Sequence, residues 1–201
     1  MIRVLLAEDQ GMVRGALAAL LRLEGDIEVV AEVARGDAVV PTALQTQPNV
    51  ALLDIEMPGG DGLSAAKALH ERLPACRIVI LTTFGRSGYL RRAMESGAVG
   101  FLLKDAPASE LAVALRRVMK GELVVDPDLA LAALSEGSNP LTPRECDVLS
   151  ASLFGASLAE IAAQLYLSEG TVRNHLSTAM QKLGAQNRME AARLAEQKGW
   201  L

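Results

Sequence analysis

Val50-Ala51-Leu52-Leu53-Asp54-Ile55-Glu56-Met57-Pro58-Gly59-Gly60 decides how the first part of this chain folds. Four apolar residues in a row, with no polar alternation, are what a strand buried on both faces requires. The run stops on a carboxylate, and the proline and two glycines beyond it are turn residues. Outward from there, short β-branched apolar runs recur at 2–7, 27–33, 77–82 and 100–103, with 50–54 as the middle one. Between and after them lie stretches of helical spacing at 12–22, 36–45, 62–73, 87–96 and 107–120. In the last of these, Leu111, Leu115 and Val118 share one face. Five strand-helix units in succession predict an α/β fold over residues 1–120: a five-stranded parallel doubly wound sheet with helices on both faces.

The composition agrees. With 201 residues, half of them hydrophobic and 22% charged, the chain can build one large or two small cores, which excludes disorder as its overall state. No apolar run approaches the roughly eighteen residues a membrane span needs, and the N-terminus lacks a signal-peptide pattern, so a cytoplasmic protein without membrane insertion is expected. Cys76 and Cys146 lie far apart with no CxxC or Cys/His spacing, which suggests neither a disulfide framework nor a zinc site. A net charge of −4 excludes a strongly electrostatic nucleic-acid binder, and 3% aromatics excludes a base-stacking platform; any DNA contact must be local.

Charge also marks the domain boundary. Residues 121–139 carry Glu122, Asp126, Asp128 and Glu136 with no basic residue, whereas the stretches on either side are balanced. This segment reads as an acidic linker with a short helix at 127–134. Beyond it, residues 140–201 show only helical patterns. Thr142, Pro143 and Glu145 form a helix-start signature. A second helix spans 158–165, and a tight Tyr166-Leu167 connection leads to Ser168, which caps a longer helix with Val172, Leu176, Met180 and Leu183 on one stripe. Asn187 and Glu190 open a final helix ending near Lys198. Four short helices predict a small separate all-α domain, with Trp200 packing over the last of them.

In an open parallel sheet, ligands sit beyond the carboxyl ends of the strands. The residues there are Glu8 and Asp9, Asp54, Thr82 and Lys104. Three carboxylates gathered on one edge repel, and an oxygen-loving divalent cation, Mg2+, is the simple way to keep them ionised together. With the metal and Lys104 neutralising phosphoryl oxygens, the Asp54 carboxylate can attack phosphorus in line, and the Thr82 hydroxyl can then move to the added oxygens. Taken singly, each residue has a plainer reading: Glu8 and Asp9 as a helix cap, Asp54 as a turn former, Lys104 as surface.

Ala7-Glu8-Asp9, Leu53-Asp54-Ile55-Glu56-Met57-Pro58, Gly62, Leu81-Thr82 and Leu103-Lys104, in this order, resemble the receiver domain of bacterial two-component response regulators. The resemblance implies a flavodoxin/CheY-like fold, Asp54 as phosphoacceptor, and Lys104 and Thr82 as its catalytic companions. It also implies Mg2+ held by Glu8, Asp9, Asp54 and the backbone carbonyl of Glu56, a switch of Thr82 and Phe101, and a sensor histidine kinase as partner. Asp105 stands where many receivers carry proline, and Phe101 where tyrosine is commoner. Two rival patterns compete here. Gly60, Gly62 and Ala65 fit a dinucleotide-type GxGxxA, but lie well past the strand end. Asp54-Ile55-Glu56 is similar to the DxD of aspartyl-phosphate hydrolases, an enzyme reading that leaves the C-terminal helices without a role; the expectation is a regulator, not an enzyme.

In the C-terminal part, two helices joined by a short turn suit a helix-turn-helix whose second helix enters the major groove. Glu169, Thr171, Arg173, Asn174 and Ser177 lie outside its apolar stripe. Arg173 can pair with guanine and Asn174 with adenine, while Thr171, His175 and Lys182 can reach phosphates. Leu141-Thr142-Pro143-Arg144-Glu145, Glu160-Ile161-Ala162, Thr171-Val172-Arg173-Asn174-His175, Lys182-Leu183 and Asn187-Arg188-Met189-Glu190-Ala191 resemble the LuxR-type domain of the NarL/FixJ subfamily. That resemblance makes Arg173, Asn174 and Ser177 groove contacts. It also implies double-stranded promoter DNA, a homodimer when phosphorylated, and RNA polymerase as partners. The alternatives are a solvated helix face, a protein-binding helical output, and a structural His175. Within the family, residues 7–10, 54–59 and 81–84 look like the branch that regulates membrane-lipid desaturation.

Overall fold

The sheet contains six strands, all parallel, in the order β2-β1-β3-β4-β5-β6. They are β1 (Ile2–Ala7), β2 (Ile27–Val33), β3 (Val50–Leu53), β4 (Arg77–Thr82), β5 (Gly100–Leu103) and β6 (Val124–Val125), and α1 (Gly11–Arg22), α2 (Gly36–Thr46), α3 (Gly62–Arg72), α4 (Ser87–Glu95) and α5 (Ala108–Met119) follow the first five in turn. This computed structural model describes residues 1–83, 87–105, 108–135, 139–153 and 155–201. Phe84 of the 81–84 motif, the Pro107 start of the fifth helix and Glu136 of the acidic segment lie outside the described residues, as does the Asp128 side chain. No helix among the described residues is long and apolar enough to cross a membrane.

The expectation of five strands is corrected by β6. Val124 and Val125 lie in the segment read as linker, and two residues are too short to announce a strand by pattern. They pair with Gly100 and Phe101, and Val124 is buried in the core. The acidic segment also supplies α6 (Pro127–Ser135).

The strand order places the switch point between β1 and β3, where connections leave the sheet in opposite directions. The unbroken apolar runs serve two layers. Val4, Leu6, Val50, Leu52, Val79 and Leu81 pack against Ala18 and Leu21 of α1 and against Leu111, Leu115 and Val118 of α5. The alternate residues Leu5, Leu53, Ile80 and Phe101 face the other way and are fully buried. Each such side chain contributes about 1.5–3 kcal/mol of burial. Cys76 belongs to this interior, and burial pushes its thiol up to about 12. Cys76 and Cys146 form no disulfide among the described residues.

The chain divides into two compact units, built mostly of residues 1–131 and 132–201. The second contains α7 (Pro143–Ser152), α8 (Leu158–Leu165), α9 (Glu169–Leu183) and α10 (Arg188–Gln197). Each starts on a residue whose side chain accepts a backbone N–H three residues on: Thr142, Ser157, Ser168 and Asn187. Caps of this kind stabilise a helix by about 1 kcal/mol, which matters for elements this short. Their buried faces meet around Val148, Leu149, Ile161, Val172 and Leu176, with Trp200 packed against the cluster.

Candidate functional site

Beyond the sheet's carboxyl edge, the strand ladder runs one residue past each strand. The Glu8 amide donates to Val33 O (3.0 Å), that of Asp54 to Ala7 O (2.9 Å) and that of Lys104 to Thr82 O (2.8 Å). Backbone pairing, rather than side-chain packing, therefore fixes where these three side chains start. Asp54 and Lys104 line a pocket of about 60 Å³ together with Asp9, Gln10, Glu56, Thr82 and Thr83, and Glu8 joins it through its ion pair with Lys104. The Lys104 Nζ lies 2.7 Å from Glu8 Oε2 and 2.8 Å from Asp54 Oδ2. The other Asp54 oxygen accepts the Ile55 amide at 2.7 Å. The Arg14 guanidinium donates to Glu8 O at 2.6 Å and pins the turn into α1.

Glu8 is 1% exposed and Asp54 5%, so both carboxylates are nearly out of water. Burial alone would depress the Lys104 ammonium, but its hydrogen bond to Asp54, its ion pair with Glu8 and the attraction of both charges outweigh that and hold its pKa above the ordinary lysine range. Lys104 therefore stays protonated. One ammonium between two buried carboxylates still leaves a net negative pocket, and the exposed Asp9 adds a third acid: oxygens of Glu8, Asp9 and Asp54 lie within 4.8 Å of one another. Glu8 Oε2, although ion-paired, accepts no well-aligned hydrogen bond. An all-oxygen, anionic donor set with a valence left over fits a hard divalent cation such as Mg2+.

The loop from Ile55 to Asp61 closes tightly, with Glu56 at the pocket and Pro58 O accepting the Gly36 amide at 3.0 Å. The Gly62 amide donates to Ile55 O at 2.8 Å, and a Cβ on Gly62 would lie 1.9 Å from Asp54 O. Close approach to the Asp54 backbone is what requires glycine here, which disposes of the dinucleotide pattern as its explanation. Phe101 pairs with Ile80, so it shares a sheet face with Thr82 two residues on. It is fully buried. The Lys104–Asp105 peptide is trans.

In the second unit, α9 buries Val172, Leu176 and Ala179 and leaves Arg173, Asn174 and Ser177 exposed, with Thr178 and Gln181 continuing the same strip. The side chains of Arg173 and Asn174 have no ion-pair or hydrogen-bond partner among the described residues. Thr171 and His175 are half-buried, and the Thr171 hydroxyl is 2.8 Å from Ser168 Oγ at the helix start. Lys182, expected to be able to reach a phosphate, donates from Nζ to Glu145 Oε2 at 2.7 Å in the chain by itself. Glu145 is 4% exposed, and a buried carboxylate draws the nearest flexible ammonium to it.

Residues 4–116 match the response regulator receiver domain, and residues 139–195 match the luxR family of bacterial regulatory proteins. The chain belongs to the response regulators. It is 46% identical over 200 residues to the transcriptional regulatory protein DesR of Bacillus subtilis (strain 168), covering 100% of this chain and 99% of that one. It is 44% identical over 201 residues to the uncharacterized transcriptional regulatory protein YvfU of the same organism, covering 100% of both. The solved structure of the response regulator RcsB bound to DNA is similar with a TM-score of 0.66 at 26% identity, covering 98% of each chain.

This response regulator thus carries a receiver and a LuxR-type DNA-binding domain. The structure brings Glu8, Asp9, Asp54, Glu56, Thr82 and Lys104 to one pocket, and sets Arg173, Asn174 and Ser177 on one exposed strip. Sequence reasoning missed Gln10 and Thr83 at the pocket rim. Neither carries a signal beyond its place next to a strand end. It also missed the Glu145–Lys182 pair, because Glu145 already had a complete local role as a capping residue.

Proposed function

We propose that Asp54 accepts a phosphoryl group from a sensor histidine kinase and that the phosphorylated chain, as a homodimer, binds double-stranded promoter DNA through α9 and regulates transcription. The carrying observation is Lys104 Nζ within 2.8 Å of Asp54 and 2.7 Å of Glu8, on the same edge as Asp9. Glu8, Asp9, Asp54 and the backbone carbonyl of Glu56 would hold Mg2+. Bound there, the ion supplies positive charge against phosphoryl oxygens. The Ile55 amide orients the Asp54 carboxylate for in-line attack, and the acyl-phosphate O–P bond forms as the donor's bond to phosphorus breaks. Lys104 remains protonated and neutralises charge on the transferred group. The Thr82 hydroxyl, at the pocket wall, then hydrogen-bonds the new oxygens, and Phe101 repacks on the same sheet face. Phosphorylation acts by favouring one of two existing arrangements.

Arg173, Asn174 and Ser177 contact the groove in this reading, with Thr171 and His175 beside the phosphates and Lys182 acting chiefly through Glu145. The receiver takes residues 1–120, the connecting segment 121–139 and the DNA-binding domain 140–201, with β6 anchoring the connection to the sheet. The protein works in the cytoplasm, where RNA polymerase is its downstream partner.

Incubation with acetyl phosphate and Mg2+ followed by intact-mass measurement tests the central step. One phosphoryl group per chain is expected, and none on Asp54→Asn. Label retained by Asp54→Asn, or continuous hydrolysis of phosphomonoesters without accumulation of labelled protein, would replace the regulator reading with the hydrolase one.

A further inference from the structure

Helix α8 ends in a way that calls for glycine and has tyrosine instead. The Tyr166 amide reaches back to Ala163 O (3.4 Å) and the Leu167 amide to Ala162 O (2.9 Å). This is the paired closure in which the residue after the helix adopts the left-handed conformation. Tyr166 has φ 55 and ψ 46. At the end of α9 the equivalent position is Gly184, with φ 65, where the absence of a Cβ makes that backbone easy to adopt. A tyrosine there strains the backbone.

No hydrogen bond or packing contact of the Tyr166 side chain among the described residues offsets this. Leu167 packs against the core and anchors the turn, which sends the neighbouring side chain outward: Tyr166 is 96% exposed. Its hydroxyl has no hydrogen-bond partner among the described residues. An aromatic ring in water on strained backbone adds nothing to folding, which directs attention to a contact outside the chain. Position suggests which. In a helix-turn-helix, the second helix puts its N-terminal residues on base edges while the first crosses the sugar-phosphate backbone. Tyr166 lies between them, two residues before the Ser168 cap of α9.

We propose that Tyr166 is a DNA-contact residue whose phenol hydroxyl donates to a phosphate oxygen at the edge of the groove entered by α9, setting how α9 docks without reading bases. This rests on the assignment of α9 as the recognition helix. Phosphate contacts of this type position a protein and carry no sequence information. A phenol, unlike a lysine or arginine, releases no counterion of its own.

Full-length protein treated with acetyl phosphate is titrated by fluorescence anisotropy against two probes: a random pool of 30-base-pair duplexes, and one duplex enriched from that pool by repeated binding. Tyr166→Phe, which removes only the hydroxyl, is expected to weaken binding to both probes by the same factor, roughly tenfold for a hydrogen bond to a charged oxygen, with the salt dependence unchanged. Tyr166→Asn, which suits left-handed backbone, is expected to lose at least as much affinity while its melting temperature stays level or rises. Arg173→Ala serves as the contrast, losing affinity mainly on the enriched duplex, as expected of a base-edge contact. The proposal is overturned if Tyr166→Phe binds both probes as the wild type does, if the loss is confined to the enriched duplex, or if the affinity of Tyr166→Asn falls only in step with its stability. If the wild type binds neither probe, the recognition-helix assignment falls as well.

Discussion

The receiver pocket and the exposed strip of α9 both carry charge, but they dispose of it in opposite ways. In the pocket, Lys104 sits between Glu8 and Asp54, and each charge is made tolerable by its neighbours in the same chain. On α9, Arg173 and Asn174 have no such neighbours among the described residues. A group satisfied internally can be altered only at a cost to the fold. A group left open to water can be altered only at a cost to whatever it meets. The same substitution logic should therefore move stability at one site and binding at the other.

The largest effect is expected at Lys104. Replacing it with Met leaves two carboxylates, 1% and 5% exposed, without their counter-charge, which costs about 3–5 kcal/mol. Urea denaturation followed in the receiver should show that loss in metal-free buffer, and added Mg2+ should raise the midpoint of the variant more than that of the wild type. A variant that unfolds at the wild-type midpoint would mean that the pocket is wet and its charges are not interdependent. Arg173→Ala is the counterpart on α9. It should leave stability within about 0.5 kcal/mol and weaken binding by about 1–3 kcal/mol where the arginine meets a base pair. A fall in melting temperature with unchanged DNA affinity would reverse the comparison.

The two regions also differ in how much of them could be read in advance. The pocket was legible because the strands are short apolar runs with abrupt polar ends, so Ala7-Glu8, Leu53-Asp54 and Leu103-Lys104 each mark the same sheet edge. What the residues did not announce was β6. Val124 and Val125 are two residues in an acidic stretch, and their pairing with Gly100 and Phe101 depends on an open sheet edge that exists only after folding. In the helical domain, the capping residues Thr142, Ser168 and Asn187 marked three of the four helix starts, since an N-cap acts within three residues, whereas Ser157 at the start of α8 went unread. The partner of Lys182 was not legible: Glu145 is 37 residues away, and the pair forms because packing buries Glu145 beneath α9. The strain at Tyr166 was hidden for a related reason, because sequence shows a tight connection but not the sign of φ.

The smallest effect concerns that Glu145–Lys182 pair, where the contrast between closed and open charge blurs, since Lys182 belongs to the recognition helix yet is held internally. Burial works to raise the Glu145 pKa, but the hydrogen bond from Lys182 and those from Thr142 prevail and hold the carboxyl below the ordinary glutamate range. Folding therefore favours the ionised form. Its contribution is complete above the unfolded-chain value of about 4.3 and is lost as pH falls through the lower folded value. Glu160, held low by the Ser157 amide, adds to the same acid slope. Thermal melts should thus show the helical domain weakening only below about pH 4.3, and Glu145→Gln should flatten part of that slope, leaving the share of Glu160. At neutral pH, Lys182→Met should cost about 1 kcal/mol of stability, the worth of a partly exposed hydrogen bond to charge. If it instead leaves stability untouched and lowers the salt slope of DNA binding by about one, then Lys182 leaves Glu145 for phosphate on binding, and the internal pair is a resting place for a DNA contact.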